Sequence, residues 1–126
     1  MQKDEVLNLV NETKTPQIRA GETHHFNDIW MVVVDGRIFC RQYSFGKRSW
    51  YSAFLEDPKG AIKCDDTVID IQAQIPADLD DINSKINAAY IEKYDTRLHH
   101  YPEIAHKMTG EKYMAKTMEL IPTSLD

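Results

Sequence analysis

Cysteine, glycine and proline are all scarce in this 126-residue chain, and no long apolar run interrupts it. The only two cysteines, Cys40 and Cys64, stand far apart with no Cys-x-x-Cys spacing. That argues against a zinc finger or dithiol motif and leaves two small, buried apolar residues as the plain reading. The five glycines form no dinucleotide fingerprint and no P-loop, and there is no Gly-x-Ser-x-Gly elbow. No apolar stretch approaches the length of a membrane span. The polar start, Met1 to Glu5, lacks the apolar core of a signal peptide, so a cytoplasmic protein is expected. Positive charge is outnumbered, with a net charge of -5, which argues against a general nucleic-acid binder.

What is present is ordinary globular material. Hydrophobic residues make up 42% of the chain, and neither a repeat nor a linker divides it, so one domain over residues 1–126 is expected. Val6, Leu7 and Val10 share one face of a first helix that Asp4 can cap. Residues 17–20 allow a short strand. Residues 29–34 and 37–43 read as a hairpin about Asp35-Gly36, a pair that accepts φ > 0 at both turn positions. In that register Trp30 faces Arg41, Val32 faces Phe39 and Val34 faces Arg37, while Met31, Val33, Ile38 and Cys40 take the other side. Both sides are largely apolar, so the hairpin is expected to be covered twice, once by a barrel interior and once by a helix or a partner subunit.

Ser49 is placed to cap a short helix over residues 50–56. A second hairpin, 61–64 and 67–75, turns at Asp65-Asp66, with Ile62, Cys64, Ile69, Ile71, Ala73 and Ile75 on one side. A longer helix over 79–94 has Asp78 as its cap, an apolar stripe from Leu79 to Tyr94, and Lys93 at its negative end. Pro102 begins a short helix that Gly110 stops, and residues 116–121 form a last strand closed by Pro122. Hairpins dominate and βαβ repeats are absent, which predicts an α+β fold: a small barrel or curled antiparallel sheet flanked by helices.

The chemistry concentrates between Arg41 and Tyr51. Lys47 and Arg48 supply charge, Ser44 and Ser49 supply hydroxyls, and Gly46 lets backbone approach a ligand. Trp50 and Tyr51 offer rings for stacking, and Arg41 stands at the head of the loop. Ahead of a helix N-terminus, such a set suits a phosphate or carboxylate. The same residues also read as a solvated basic loop with Ser49 as a cap and Trp50 as core. The histidines, His24-His25, His99-His100 and His106, show no metal-ligand spacing, so no metal site is expected. The segment 98–106 reads as a connector.

Several motifs together resemble the bacterial domain-of-unknown-function family 2255. They are Trp30 with Val32-Val33-Val34, Asp35-Gly36, Arg41, Gly46, Ser49-Trp50-Tyr51 with Ala53, and Ile62. Further on come Ile86-Asn87-Ala88-Ala89-Tyr90, Lys93-Tyr94 and Thr117 with Leu120-Ile121-Pro122, so the resemblance runs from Phe26 to Pro122. It implies a split β-barrel of the flavin-binding superfamily, which includes pyridoxamine-phosphate oxidases and deazaflavin-dependent nitroreductases. By that resemblance an FMN or deazaflavin phosphate would lie near Ser44, Gly46, Lys47, Arg48 and Ser49, with Trp50 at the pocket edge. The resemblance also implies a homodimer and a reductase activity carried by the cofactor. The nitroreductase branch has an upstream Gly-Arg-x-Ser/Thr-Gly segment, where this chain supplies only Arg19. The rival reading is a cofactor-free barrel that binds a small anionic or aromatic ligand, or a protein partner. No catalytic side chain stands out.

Overall fold

The computed structural model describes residues 1–22, 25–43 and 49–125. Helix α1 (Lys3–Glu12) buries Val6 and Val10. It begins one residue before Asp4, and Gln2 is its cap, with the Gln2 N–H donating to the Glu5 carboxylate at 3.1 Å. Strand β1 (Gln17–Ala20) follows as expected, then a two-residue strand β2 (Asn27–Asp28). The hairpin is β3 (Met31–Val34) and β4 (Arg37–Arg41), with Asp35 and Gly36 at φ 52° and 74° and the expected register, Val32 against Phe39 and Val34 against Arg37. Its first strand is shorter than 29–34 because the Ile29 N–H bonds the Pro16 carbonyl outside the hairpin.

Helix α2 (Trp50–Glu56) starts where Ser49 Oγ accepts the Ser52 N–H at 3.1 Å. The second hairpin is β5 (Lys59–Cys64) and β6 (Thr67–Gln74), with Ile62 opposite Ile69. Its turn has no glycine and places Asp65 at φ 54°. Ile75 falls beyond the strand and is 49% exposed, so it does not share the buried face of Ile69, Ile71 and Ala73. Helix α3 (Leu79–Ile91) buries Ile82, Ile86 and Tyr90, then continues as a π-helical segment, Glu92–Arg97, that buries Lys93 and Tyr94. Short helices α4 (Pro102–Lys107) and α5 (Glu111–Met114) lead to β7 (Thr117–Pro122). Gly110 therefore caps the start of α5 and does not stop α4, while the last strand ends at Pro122 as expected.

The seven strands form one antiparallel sheet in the order β2-β1-β5-β6-β7-β4-β3, an α+β split barrel: the small helix-flanked barrel expected from the hairpin pattern, in the split form that the resemblance implies. Two cores result. The barrel interior gathers Met31, Ile38, Cys40, Ile62, Cys64, Ile69 and Leu120, with Val6 and Val10 from α1. The reverse of the β3–β4 hairpin puts Val32, Val34 and Phe39 against Ile82, Ile86, Tyr90 and Met108. The hairpin's second face is thus covered by helices of its own chain, so its apolar character gives no argument for a partner subunit. Among the described residues, no helix is long and apolar enough to cross a membrane.

Asp78 stands at the N-cap of α3, yet its carboxylate makes no capping bond. It accepts instead from Arg37, Nη1 to Oδ2 at 2.8 Å and Nη2 to Oδ1 at 2.9 Å. Arg37 also grips Glu119 on β7, through Nη2 at 2.8 Å and Nε at 3.1 Å. These bonds hold the Asp78 carboxyl below its usual range. Lys93 departs further from expectation. It is 1% exposed and donates to the Val10 carbonyl at 2.9 Å and the Met31 carbonyl at 2.7 Å. It joins α1 to β3 and does not sit as a solvated charge at a helix end.

Candidate functional site

One cavity of about 750 Å³ opens where the first hairpin ends, a volume in the range that small-molecule sites occupy. Trp30 comes from the approach to β3, Arg41 and Tyr43 from the end of β4, and Ser49 and Trp50 from the start of α2. His100, Tyr101, Ile104 and Met108 close it from the segment around α4, and Thr15, Asn27 and Asp28 complete the rim.

Arg41 forms the base and is 1% exposed. Its Nε donates to Thr117 Oγ1 at 3.1 Å, and Nη1 donates to the Met108 carbonyl at 2.9 Å and to Asn87 Oδ1. Nη2 faces Asn83, with Oδ1 at 3.1 Å and the carbonyl at 3.4 Å. Every one of these acceptors is neutral, so the positive charge is solvated by dipoles and remains uncancelled beneath the cavity. Burial pushes the Arg41 pKa down, yet a guanidinium stays protonated at any ordinary pH.

Tyrosines from α3 and the π-helical segment fix the wall. Tyr90 Oη donates to the Trp30 carbonyl at 3.0 Å and accepts the Arg41 N–H at 2.9 Å. The Tyr94 ring stacks on Trp30 at 4.0 Å and 6°, while its hydroxyl accepts the Met31 N–H at 3.2 Å. Burial raises the pKa of both phenols, so they remain neutral. Trp30 therefore has one face packed on Tyr94 and belongs to a rigid wall.

Of the residues proposed from sequence, Arg41, Ser49 and Trp50 come together around this cavity. Arg41 does so with its donors already taken, and Ser49 does so as the cap of α2. Tyr51 packs into the barrel interior beside Phe54, and the Lys116 ammonium lies 4.8 Å from its ring centre. Ser44, Gly46, Lys47 and Arg48 lie outside the described residues, although Tyr43 and Ser49 on either side of that stretch both line the cavity. Arg19 lies elsewhere. Its guanidinium sits 4.5 Å from the Phe26 ring centre, and it lines a separate cavity of about 950 Å³. That larger space has Glu22, Glu56, Asp57 and Asp70 around it and no aromatic ring, so it suits neither an anion nor a flat ligand.

His100 and Tyr101 reach the cavity from the segment 98–106, which from sequence alone reads as a connector. The clustering of histidine and tyrosine there was the available signal. His106 Nε2 and Asp95 Oδ2 are 2.6 Å apart and tie α4 to the π-helical segment, which carries His100 and Tyr101 to the cavity wall.

The family model described as "uncharacterized protein conserved in bacteria" (DUF2255) matches residues 8–120. No curated protein matches the chain. Among solved structures, the conserved hypothetical protein Rv2991 from Mycobacterium tuberculosis is similar at 16% identity and a TM-score of 0.57, covering 98% of this chain and 80% of that one. A pyridoxamine 5'-phosphate oxidase-like protein from Listeria innocua is similar at 10% identity and a TM-score of 0.61, covering 97% of this chain and 94% of the other. At such identities the likeness is one of fold.

Proposed function

The chain belongs to the DUF2255 family of proteins conserved in bacteria, and from that premise we propose that its cavity binds the planar, anionic cofactor class of flavins and deazaflavins. One observation carries the reading: a buried Arg41 with only neutral acceptors lies beneath a cavity walled by Trp30, Tyr43 and Trp50. Aromatic walls favour a flat ring, and an uncancelled cation in a low-dielectric base favours negative charge. The ring portion of such a cofactor fits these residues. The phosphate would fall to Lys47 and Arg48, with Ser44 and Gly46 beside them, in the stretch bounded by Tyr43 and Ser49. A bound flavin or deazaflavin supplies hydride transfer, and the protein's part is to bind, orient and shield the ring. A reductase function and a homodimer belong to the same proposal.

A second reading has its own support. Arg41 spends all its guanidinium donors inside the protein, and the described residues lining the cavity include no second cation. A cofactor-free barrel holding a small aromatic ligand would need none. Visible absorbance of the purified protein, followed by FMN and reduced-deazaflavin titrations monitored by fluorescence, separates the two. Bound chromophore or a saturable response is expected, and alanine at Lys47 and Arg48 should weaken it through lost phosphate contacts. No chromophore and no response to either cofactor would sink the first reading. Sedimentation at working concentration should show a dimer; a monomer removes that part of the proposal.

A further inference from the structure

After the π-helical segment the chain turns sharply. The Leu98 N–H bonds the Lys93 carbonyl at 2.9 Å, and the His100 N–H bonds the Tyr94 carbonyl at 2.8 Å. His99 and Tyr101, neither of them glycine, then adopt left-handed conformations at φ 46° and 52°. Residues with a Cβ seldom take that conformation, and where they do the surrounding structure holds them there. Between them the half-buried His100 forms part of the cavity wall, its ring 5.7 Å from Trp30 at 43° and 4.7 Å from Tyr101 at 66°.

Several polar side chains around the cavity are already engaged. Arg41 is bonded throughout, Ser49 caps α2, Asp28 accepts from Gln17, and Asn27 donates to the His25 carbonyl. His99 and His106 both face Asp95. Among the described residues, the ring nitrogens of His100 have no hydrogen-bond partner. A neutral imidazole carries one N–H donor and one acceptor nitrogen, which suits a ring edge bearing a carbonyl or an imide N–H.

We infer that His100 is the side chain through which the cavity hydrogen-bonds the polar edge of a planar heteroaromatic ligand beside Trp30. His100 has this role only if the cavity is the binding site proposed above. It acts as a ligand contact and a selector of ring edge, with no covalent or redox step of its own.

The test uses the full chain and FMN as probe, read by quenching of tryptophan and flavin fluorescence. His100→Phe keeps a ring against Trp30 and removes both nitrogens, while His100→Gln keeps a donor and an acceptor. The Phe variant should bind FMN about tenfold more weakly, the loss of one ligand hydrogen bond, and the Gln variant should stay within a few-fold of wild type. Equal affinity in wild type and His100→Phe would overturn the role of His100 while leaving the cavity as the site. No FMN binding by the wild type would overturn both. Should the Phe variant not fold, the wild-type His100 imidazole resonances decide: they should shift on adding FMN while those of exposed His25 stay put, and unmoved His100 signals overturn the inference.

Discussion

Arg41 and Lys93 are both buried basic side chains, 1% exposed each, and neither hydrogen-bonds a carboxylate. The two residues solve that problem differently. Arg41 cannot shed its proton, so it is surrounded by acceptors from α3, β7 and the end of α4. Lysine has fewer donors and cannot span the same fork, so Arg41→Lys should lose ~2–4 kcal/mol in urea unfolding, as acceptors are stranded in the interior. Lys93 can shed its proton, and burial lowers its pKa from 10.5 to about 7. A neutral amine has two N–H bonds, which match the Val10 and Met31 carbonyls. The linkage sign follows from that depression. As pH falls from 10.5 towards 7 the unfolded chain takes up the proton first, so stability declines across that window and levels off below it. The slope is at most ~1.4 kcal/mol per pH unit. Urea unfolding at several pH values should show it in wild type and not in Lys93→Met; identical slopes would refute it.

Elements show where local pattern suffices and where it does not. The cap of α2 was legible because a serine hydroxyl reaches the N–H groups of its own first turn, and Ser49 does so. Ser49→Ala should cost ~1 kcal/mol of stability by thermal or urea melts. The π-helical segment was not legible. The stripe from Leu79 to Tyr94 looks like continuous α-helix, but a turn closed as Leu98 N–H to Lys93 carbonyl holds one residue more. Lys93, seven residues after Ile86, lies on the same face as Tyr90 and Tyr94; periodicity gives that face but does not foresee that a lysine is buried on it. Gly60 on β5 reflects a crossing of elements. A Cβ there would lie 2.4 Å from the Arg19 carbonyl on β1 and 2.6 Å from the Phe54 ring on α2. Gly60→Ala should therefore destabilise by ~1–3 kcal/mol or more, since backbone cannot step aside as a side chain can. A melting temperature equal to wild type would show that β1 and α2 yield there.

At the scale of the whole molecule, Arg37 links the start of α3 to β7 through Asp78 and Glu119, across the sheet that carries the hairpin. Arg37→Met should cost ~1–3 kcal/mol, because the largely buried Glu119 loses two charge-assisted bonds, and urea unfolding measures it. The cavity is likewise a property of the whole. Thr15, Trp30, Arg41, Trp50 and His100 are distant in sequence and become neighbours when the sheet curls and α4 folds over its end. The sequence by itself determined the strands other than β2, the Asp35-Gly36 turn and the hairpin register, because those follow from alternation and φ preferences. Only the tertiary structure decided that the hairpin is sealed by its own helices, that Arg41 is consumed as a buried hub, and that His100 stands on the cavity wall beside Trp30. Those outcomes depend on which distant acceptors burial brings within hydrogen-bonding reach, and periodicity along a chain carries no record of that.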